Sequence, residues 1–142
     1  SPLPRGRLQD PGLALSSPGL QTAVLRETQR LGPDGTRARR ADLCASIEEA
    51  IVDTLVEKSL RALEREYLPR VAVCGGVSAN RRLREKLAKR LERKGLWARF
   101  PDPALCTDNG AMIAAACLSA LERGAPISVE VDPRLSLSVA AR

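Results

Sequence analysis

Histidine does not occur anywhere in the 142 residues of this chain. That absence removes an imidazole general base, a Ser-His-Asp triad and any histidine metal ligand from the chain's own chemistry. Aromatic residues make up only 2%, so the core has to be built from Leu, Val, Ile and Ala, and little is available to stack on a nucleobase. No apolar run approaches the ~20 residues that a membrane-spanning helix needs. The segment from Ser1 to Gly12, rich in Pro and Arg, lacks the continuous apolar stretch of a signal peptide. Cysteine is sparse: Cys44, Cys74, Cys106 and Cys117 form no C-x-x-C pair and no disulfide framework, so they read as free thiols in a reducing compartment. The first residue is Ser rather than Met, which reads as the mark of a fragment or a processed product.

What is present is enough for one domain with a core: 44% hydrophobic and 28% charged residues. The net charge of +6 and a pI near 9.7 point to an acidic partner, with RNA the first candidate.

Along the chain, the Pro- and Gly-rich residues 1–19 read as loop. Leu20 to Leu31 is expected to form a short helix, stopped by the turn signal Gly32-Pro33-Asp34-Gly35. Asp42 reads as the N-cap of a long helix on which Leu43, Ile47, Ile51, Leu55, Leu60 and Leu63 recur at helical spacing, ending near Tyr67 before Leu68-Pro69. Arg70 to Cys74 is expected as a buried parallel strand, Ala79 to Lys94 as a helix with the stripe Leu83, Leu87 and Leu91, and Leu96 to Phe100 as a second strand. Gly95 reads as the residue that closes the helix between them. A last helix, Gly110 to Glu122, rich in alanine and ended by Gly124, is expected to start on Thr107 or Asp108 as its cap, and Val129 to Val131 is expected as a final strand. Helix and strand alternate, so the fold class is α/β with a parallel sheet. The segments are grouped as residues 1–40 (a partial edge), 41–125 (the α/β core lobe) and 126–142 (strand and tail). Right-handed crossovers would bring Gly75-Gly76 and Cys106-Thr107-Asp108 to one edge of the sheet, where ligands bind in such folds.

Three features bear on chemistry. Cys74-Gly75-Gly76-Val77-Ser78-Ala79-Asn80 joins a strand to a helix. Two glycines let backbone approach a ligand, the helix start favours an anion, and the Asn80 amide can read a base or hydroxyl edge; the plain alternative is a tight strand–helix turn. Neither the dinucleotide fingerprint nor the P-loop spacing is present. In Cys106-Thr107-Asp108-Asn109-Gly110 the carboxylate of Asp108 serves either as a helix cap or as a ligand to a divalent metal. The helix from Arg81 to Lys94 carries eight basic residues against Glu85 and Glu92, equal to the whole net charge of +6. It reads either as a surface for RNA phosphates or as a solvated amphipathic face.

Taken together, Val73 to Arg84 resembles the VxGGVSANxxLR signature of the TsaD family of tRNA threonylcarbamoyladenosine transferases, and Leu105 to Ala114 resembles its LCTDNGAMIA signature, in the family's order and spacing. Ala45 to Lys58 is similar to the family helix ASFQEAVVDVLVEK, and Leu20 to Val24 to SGLKTAV. The resemblance covers about residues 16–125 and corresponds to the C-terminal half of such an enzyme. It implies one lobe of the actin-like ATPase fold of sugar kinases and heat-shock proteins. It also implies transfer of the threonylcarbamoyl group from threonylcarbamoyl-AMP to N6 of the adenosine beside the anticodon of tRNA. Carried over residue by residue, Asn80 binds the nucleotide substrate with Gly75 and Gly76 lining its pocket, and Asp108 holds the metal, a divalent ion such as iron or zinc. TsaB- and TsaE-type partners and a cytoplasmic location follow for the bacterial members, a mitochondrion or plastid for the organellar ones.

The chain departs from the family pattern in lacking the HxxxH metal pair, and with it the glycine-rich SGGH loop and the acidic nucleotide-contacting segment; Pro18 and Gln21 replace a serine and a lysine. The expectation is therefore an acyltransferase lobe that is inactive alone. The alternative is a non-catalytic remnant that binds a nucleotide or a partner.

Overall fold

A computed structural model describes residues 3–5, 8, 10 and 12–124. The chain divides into two compact units, Ser1–Thr107 and Asp108–Arg142. The expected strand at Val129 to Val131 and the 126–142 segment lie outside the described residues.

The first unit is built on α2 (Arg40–Arg65). Before it, α1 (Pro18–Ala38) starts with Pro18 in its first turn, where a missing N–H costs nothing. The expected stop at Gly32 is only a break: Gly32 takes φ +67°, Pro33 restarts the helix, and it continues to Ala38. This continuation also moves the start of α2. Only Arg39 separates the two helices, so Asp42 is not the N-cap; it lies in the first turn, where its charge favours the helix dipole. The helix ends at Arg65 rather than Tyr67. Leu68 N–H donates to Leu63 O (2.9 Å) and Tyr67 N–H to Glu64 O (3.4 Å), closing a Schellman turn with Tyr67 at φ +53°.

Two stripes of α2 are buried. Val52, Val56, Leu60 and Leu63 pack against Leu83, Leu87 and Leu91 of α3 (Arg81–Glu92) to make the main core. Ala50, on the other side of α2, packs with Leu3 and with Leu20 of α1. The predicted stripe through Ile51 differs: Ile51 is exposed, and Ile47 and Leu55 are only partly covered. The helix is apolar on more than one face, and spacing alone does not say which face meets α3.

The strands β1 (Arg70–Ala72) and β2 (Trp97–Arg99) pair in parallel, Val71 opposite Ala98, with α3 as the crossover. Val71, Val73, Leu96, Ala98 and Phe100 face the α2–α3 core. The opposite face is open, so the expectation of a buried strand does not hold: Arg70, Ala72, Trp97 and Arg99 are exposed, and the Arg70 guanidinium lies 5.9 Å from the Trp97 ring centre. Gly95 (φ +68°) closes α3 as expected, and Leu96 N–H returns to Leu91 O. In the second unit, α4 (Gly110–Glu122) has the expected bounds, followed by Gly124 at φ +71°. Its alanine face is exposed, as are Met112, Ile113 and Leu118. No helix among the described residues is long and apolar enough to cross a membrane.

Candidate functional site

The glycine loop leaves β1 through Gly75, whose φ of +85° is a left-handed conformation that only glycine adopts cheaply. A 3-10 turn, Gly76–Ala79, follows, held by Ser78 N–H and Oγ both donating to Gly75 O (2.9 and 2.7 Å). The loop therefore does not run straight into α3, which starts at Arg81 and not at Ala79. A β carbon added at Gly75 or Gly76 would meet no atom within 4 Å, so the space beside both glycines is open.

Asn80 is the N-cap of α3. Its Oδ1 accepts the Leu83 N–H (2.8 Å), and its Nδ2 donates to Glu48 Oε1 of α2 (2.8 Å). Beside it lies a cleft of about 560 Å³ between α2 and the glycine loop, walled by Ile47, Ile51, Leu55 and Val77, with Glu48 and Asn80 among its polar groups. Ile47, Ile51 and Leu55 of the α2 stripe are thus walls of this cleft, while Leu60 and Leu63 lie in the core. Glu48 was not foreseen as a cleft residue. The signal was the apolar surplus of α2, which leaves one stripe without a helix to cover it.

The two motif segments meet through Cys106. The Ser78 Oγ, whose proton goes to Gly75 O, lies 3.1 Å from the buried Cys106 Sγ. Arg84 ties the same corner: its guanidinium donates to Ser78 O, to Pro101 O (2.7 Å) and to Cys106 Sγ (3.2 Å), and lies 5.1 Å from the Phe100 ring centre. The convergence expected for the Gly75-Gly76 loop and Cys106 holds. The Arg84 guanidinium is thus committed to this corner.

Asp108 begins the second unit and is exposed. The cap of α4 is Asn109, whose Oδ1 accepts the Met112 N–H (2.9 Å); neither Thr107 nor Asp108 has that role. Asn109 holds the extended backbone (φ −150°, ψ 156°) that a cap requires, and Gly110 is already helical. Among the described residues, no three His, Cys, Asp or Glu side chains gather where a metal could sit. Among the described residues, Asp108 has no companion donors that would complete a metal centre.

Half of the eight cations expected as an RNA face pair with α2, while Arg81, Lys89 and Arg93 are exposed. Arg82 pairs with Glu49 (2.8 Å), Lys86 with Glu49 and Asp53, Arg90 with Glu57 (2.7 Å) and Lys94 with Glu64 (2.6 Å). Arg82, Lys86 and Arg90 recur every fourth residue along α3, with Lys94 in the turn after it, and their partners advance in the same direction along α2. Hydrogen bonds from Arg82 and then Lys86 hold the Glu49 carboxyl down at about 2. Burial acts to raise the Asp53 carboxyl, but bonds from Lys86 and Arg5 outweigh it and lower it. Burial likewise opposes the Lys86 charge, yet its two carboxylates raise its pKa.

A family model described as tRNA N6-adenosine threonylcarbamoyltransferase (TsaD) matches residues 2–115. The chain belongs to this family. A protein of that name from Verminephrobacter eiseniae is 46% identical over 144 residues, 98% of this chain and 41% of the relative. Those from Paracidovorax citrulli and an Acidovorax species are 47% and 49% identical, covering 98% and 86% of this chain. The chain spans about two fifths of the length of these TsaD relatives. Cys74 to Asn80 and Cys106 to Asp108 all lie within the part that matches the family.

Proposed function

We propose that this chain is a C-terminal portion of a tRNA N6-adenosine threonylcarbamoyltransferase, forming part of one lobe of an actin-like fold and contributing the adenylate-binding side of its active site. The observation that carries this reading is the junction of the two signature segments through Ser78 and Cys106, beside an open cleft whose rim is the glycine loop. Gly76 leaves room for a substrate against the backbone, and the Asn80 amide stands at the same wall. Threonylcarbamoyl-AMP is the donor and tRNA the acceptor in this reading.

Asp108 contributes one ligand to a divalent metal, iron or zinc, whose remaining ligands come from outside these residues; no chemical step is assigned to that ion. The exposed carboxylate and the transfer of the capping role to Asn109 support a role for Asp108 other than capping. TsaB- and TsaE-type proteins are the proposed partners, and the cytoplasm the proposed location.

A chimera tests the proposal. This chain replaces the matching two fifths of the Verminephrobacter eiseniae relative, in cells depleted of their own enzyme, and threonylcarbamoyladenosine is measured in digested tRNA by mass spectrometry. The modification returns with the chimera and disappears with Asp108→Ala at equal protein level. A folded chimera that leaves tRNA unmodified, beside an active parent, refutes the reading.

A further inference from the structure

Arg84 stands behind the glycine loop and not on the cleft. The loop gives Gly76, Val77 and Asn80 to the cleft wall, and Arg84 is not among the residues that line it. Its side chain is partly buried between two short turns instead.

Each of those turns is closed by its own bonds. In the glycine loop the Ser78 N–H donates to Gly75 O (2.9 Å) and the Asn80 N–H to Val77 O (3.0 Å). In the second, the 3-10 turn Pro103–Leu105, the Asp102 carboxylate accepts the Ala104 N–H (2.9 Å). The Leu105 N–H then donates to Asp102 O (2.9 Å) and the Cys106 N–H to Pro103 O (3.3 Å). Pro101 and Pro103, whose φ is fixed by the ring, stiffen this turn further. Both turns are therefore rigid in themselves, and their placement depends on what joins them.

Three of the five Arg84 N–H groups make the join. Nε donates to Ser78 O in the first turn, and Nη2 donates to Pro101 O (2.7 Å) and Cys106 Sγ (3.2 Å), one at each end of the second. The Phe100 ring centre lies 5.1 Å from the guanidinium. The Arg84 backbone N–H donates to Asn80 O (3.2 Å), so one residue grips the loop by both main chain and side chain. Ser78 Oγ also touches Cys106 Sγ, but the two protons go elsewhere, to Gly75 O and Asp102 O. The bonds that carry direction between the turns are those of the planar guanidinium fork.

We propose that Arg84 is a positioning residue of the adenylate site, joining the glycine loop to the Pro101–Cys106 turn so that a ligand against the loop also steadies that turn. The inference rests on the reading of the cleft as the adenylate site. Arg84 touches no ligand in it. It keeps the loop in the one placement that binds, and without it the loop spends part of its time in others, which lowers the apparent affinity by the fraction lost.

The test is calorimetric titration of the full chain with AMP for wild type, Arg84→Met and Arg84→Lys, with urea unfolding of each and amide hydrogen exchange with and without saturating AMP. Methionine keeps an apolar stem beside Phe100 and removes every donor, and it weakens AMP by about tenfold. Lysine keeps the charge but has no fork to span both turns, and it weakens AMP by about threefold. In wild type, AMP slows exchange at Ser78 and Asn80 and also at Leu105 and Cys106. In both variants it slows only the first pair. The Val73 amide, bonded across the sheet to Arg99 O (2.9 Å), separates this local effect from a general gain in stability. If Arg84→Met does not fold, Arg84→Lys carries the test. Variants that lose urea stability but keep wild-type AMP affinity make Arg84 a strut of the fold alone and overturn the proposal. So does a lysine variant equal to wild type in affinity and exchange, which leaves charge and not the bridge as the cause. Wild type that binds AMP without slowing Leu105 and Cys106 overturns it too, and leaves the adenylate reading standing. If wild type binds no AMP, the adenylate reading falls and this inference with it.

Discussion

Replacing Glu49 by Gln makes the contact between α2 and α3 measurable as a function of pH. Glu49 receives hydrogen bonds from Arg82 and Lys86, and its carboxyl lies at about 2 against an ordinary 4.5. Each pKa unit corresponds to about 1.36 kcal/mol, so the shift sets a ceiling of about 3.4 kcal/mol. The Glu49 side chain is 32% exposed and that of Arg82 is 46% exposed. Solvent screening at such a site reduces the contribution to about 1 kcal/mol. A carboxyl lowered in the folded state stabilises the fold fully above its unfolded pKa and loses that contribution as pH falls through the folded pKa. The window is thus from about 4.5 down to about 2.

Urea unfolding of wild type and Glu49→Gln at pH 7, 5, 4 and 3 isolates this residue, because Asp53 and Glu64 titrate in both proteins. Wild type is expected to be more stable by about 1 kcal/mol at pH 7 and 5, with more than half of that advantage gone at pH 3. High salt should reduce the difference at pH 7. A difference that persists unchanged to pH 3, or no difference at pH 7, would refute the assignment of Glu49 to this ion-pair ladder.

Two further substitutions test backbone conformation. Tyr67→Gly should stabilise the chain by about 0.5–1 kcal/mol, because Tyr67 sits at φ +53° and is 93% exposed, so no packing is lost; a lower melting temperature would show that the ring has a partner in solution. Gly75→Ala should cost about 1–2 kcal/mol from its φ of +85°, whereas Gly76→Ala should change urea stability by less than about 0.5 kcal/mol yet weaken AMP in calorimetry, since its new methyl stands in open space at the cleft wall. Unchanged AMP binding in Gly76→Ala would remove that glycine from the site.

The sequence was legible wherever one element's own pattern decided the outcome. Leu83, Leu87 and Leu91 form a single stripe on a helix that is otherwise charged, and all three are buried as read. Gly95 and Gly124 end their helices because no other residue takes their φ cheaply. The bounds of α4 follow from Gly110 and Gly124, although its cap is Asn109, one residue past the expected position. The misreadings come from choices that depend on a neighbour. Asp42 is a good cap by type, but α1 runs through Gly32-Pro33 and delivers the chain to α2 already turned for a helix. The first strand read as buried because Val71-Ala72-Val73 is continuously apolar, yet only alternate residues of both strands meet the core, and the other face carries Arg70, Trp97 and Arg99.

The basic helix shows why single-element readings mislead about partners. Arg82, Lys86 and Arg90 on α3, with Lys94 just after it, add up to a strong positive face when that helix is drawn alone. The carboxylates of Glu49, Asp53, Glu57 and Glu64 stand on α2 at distances in the chain that no local window joins. Once the Leu and Val stripes lock the two helices, those charges meet, and the ladder fixes the register of α2 against α3. The glycine loop and Asn80 are positioned by α3, while Glu48 and the walls Ile47 and Ile51 are positioned by α2. Register between the helices therefore sets the width of the cleft. Four of the eight charges read as an RNA surface, Arg82, Lys86, Arg90 and Lys94, pair with the helix that carries the other wall of the cleft in which an adenylate is proposed to bind.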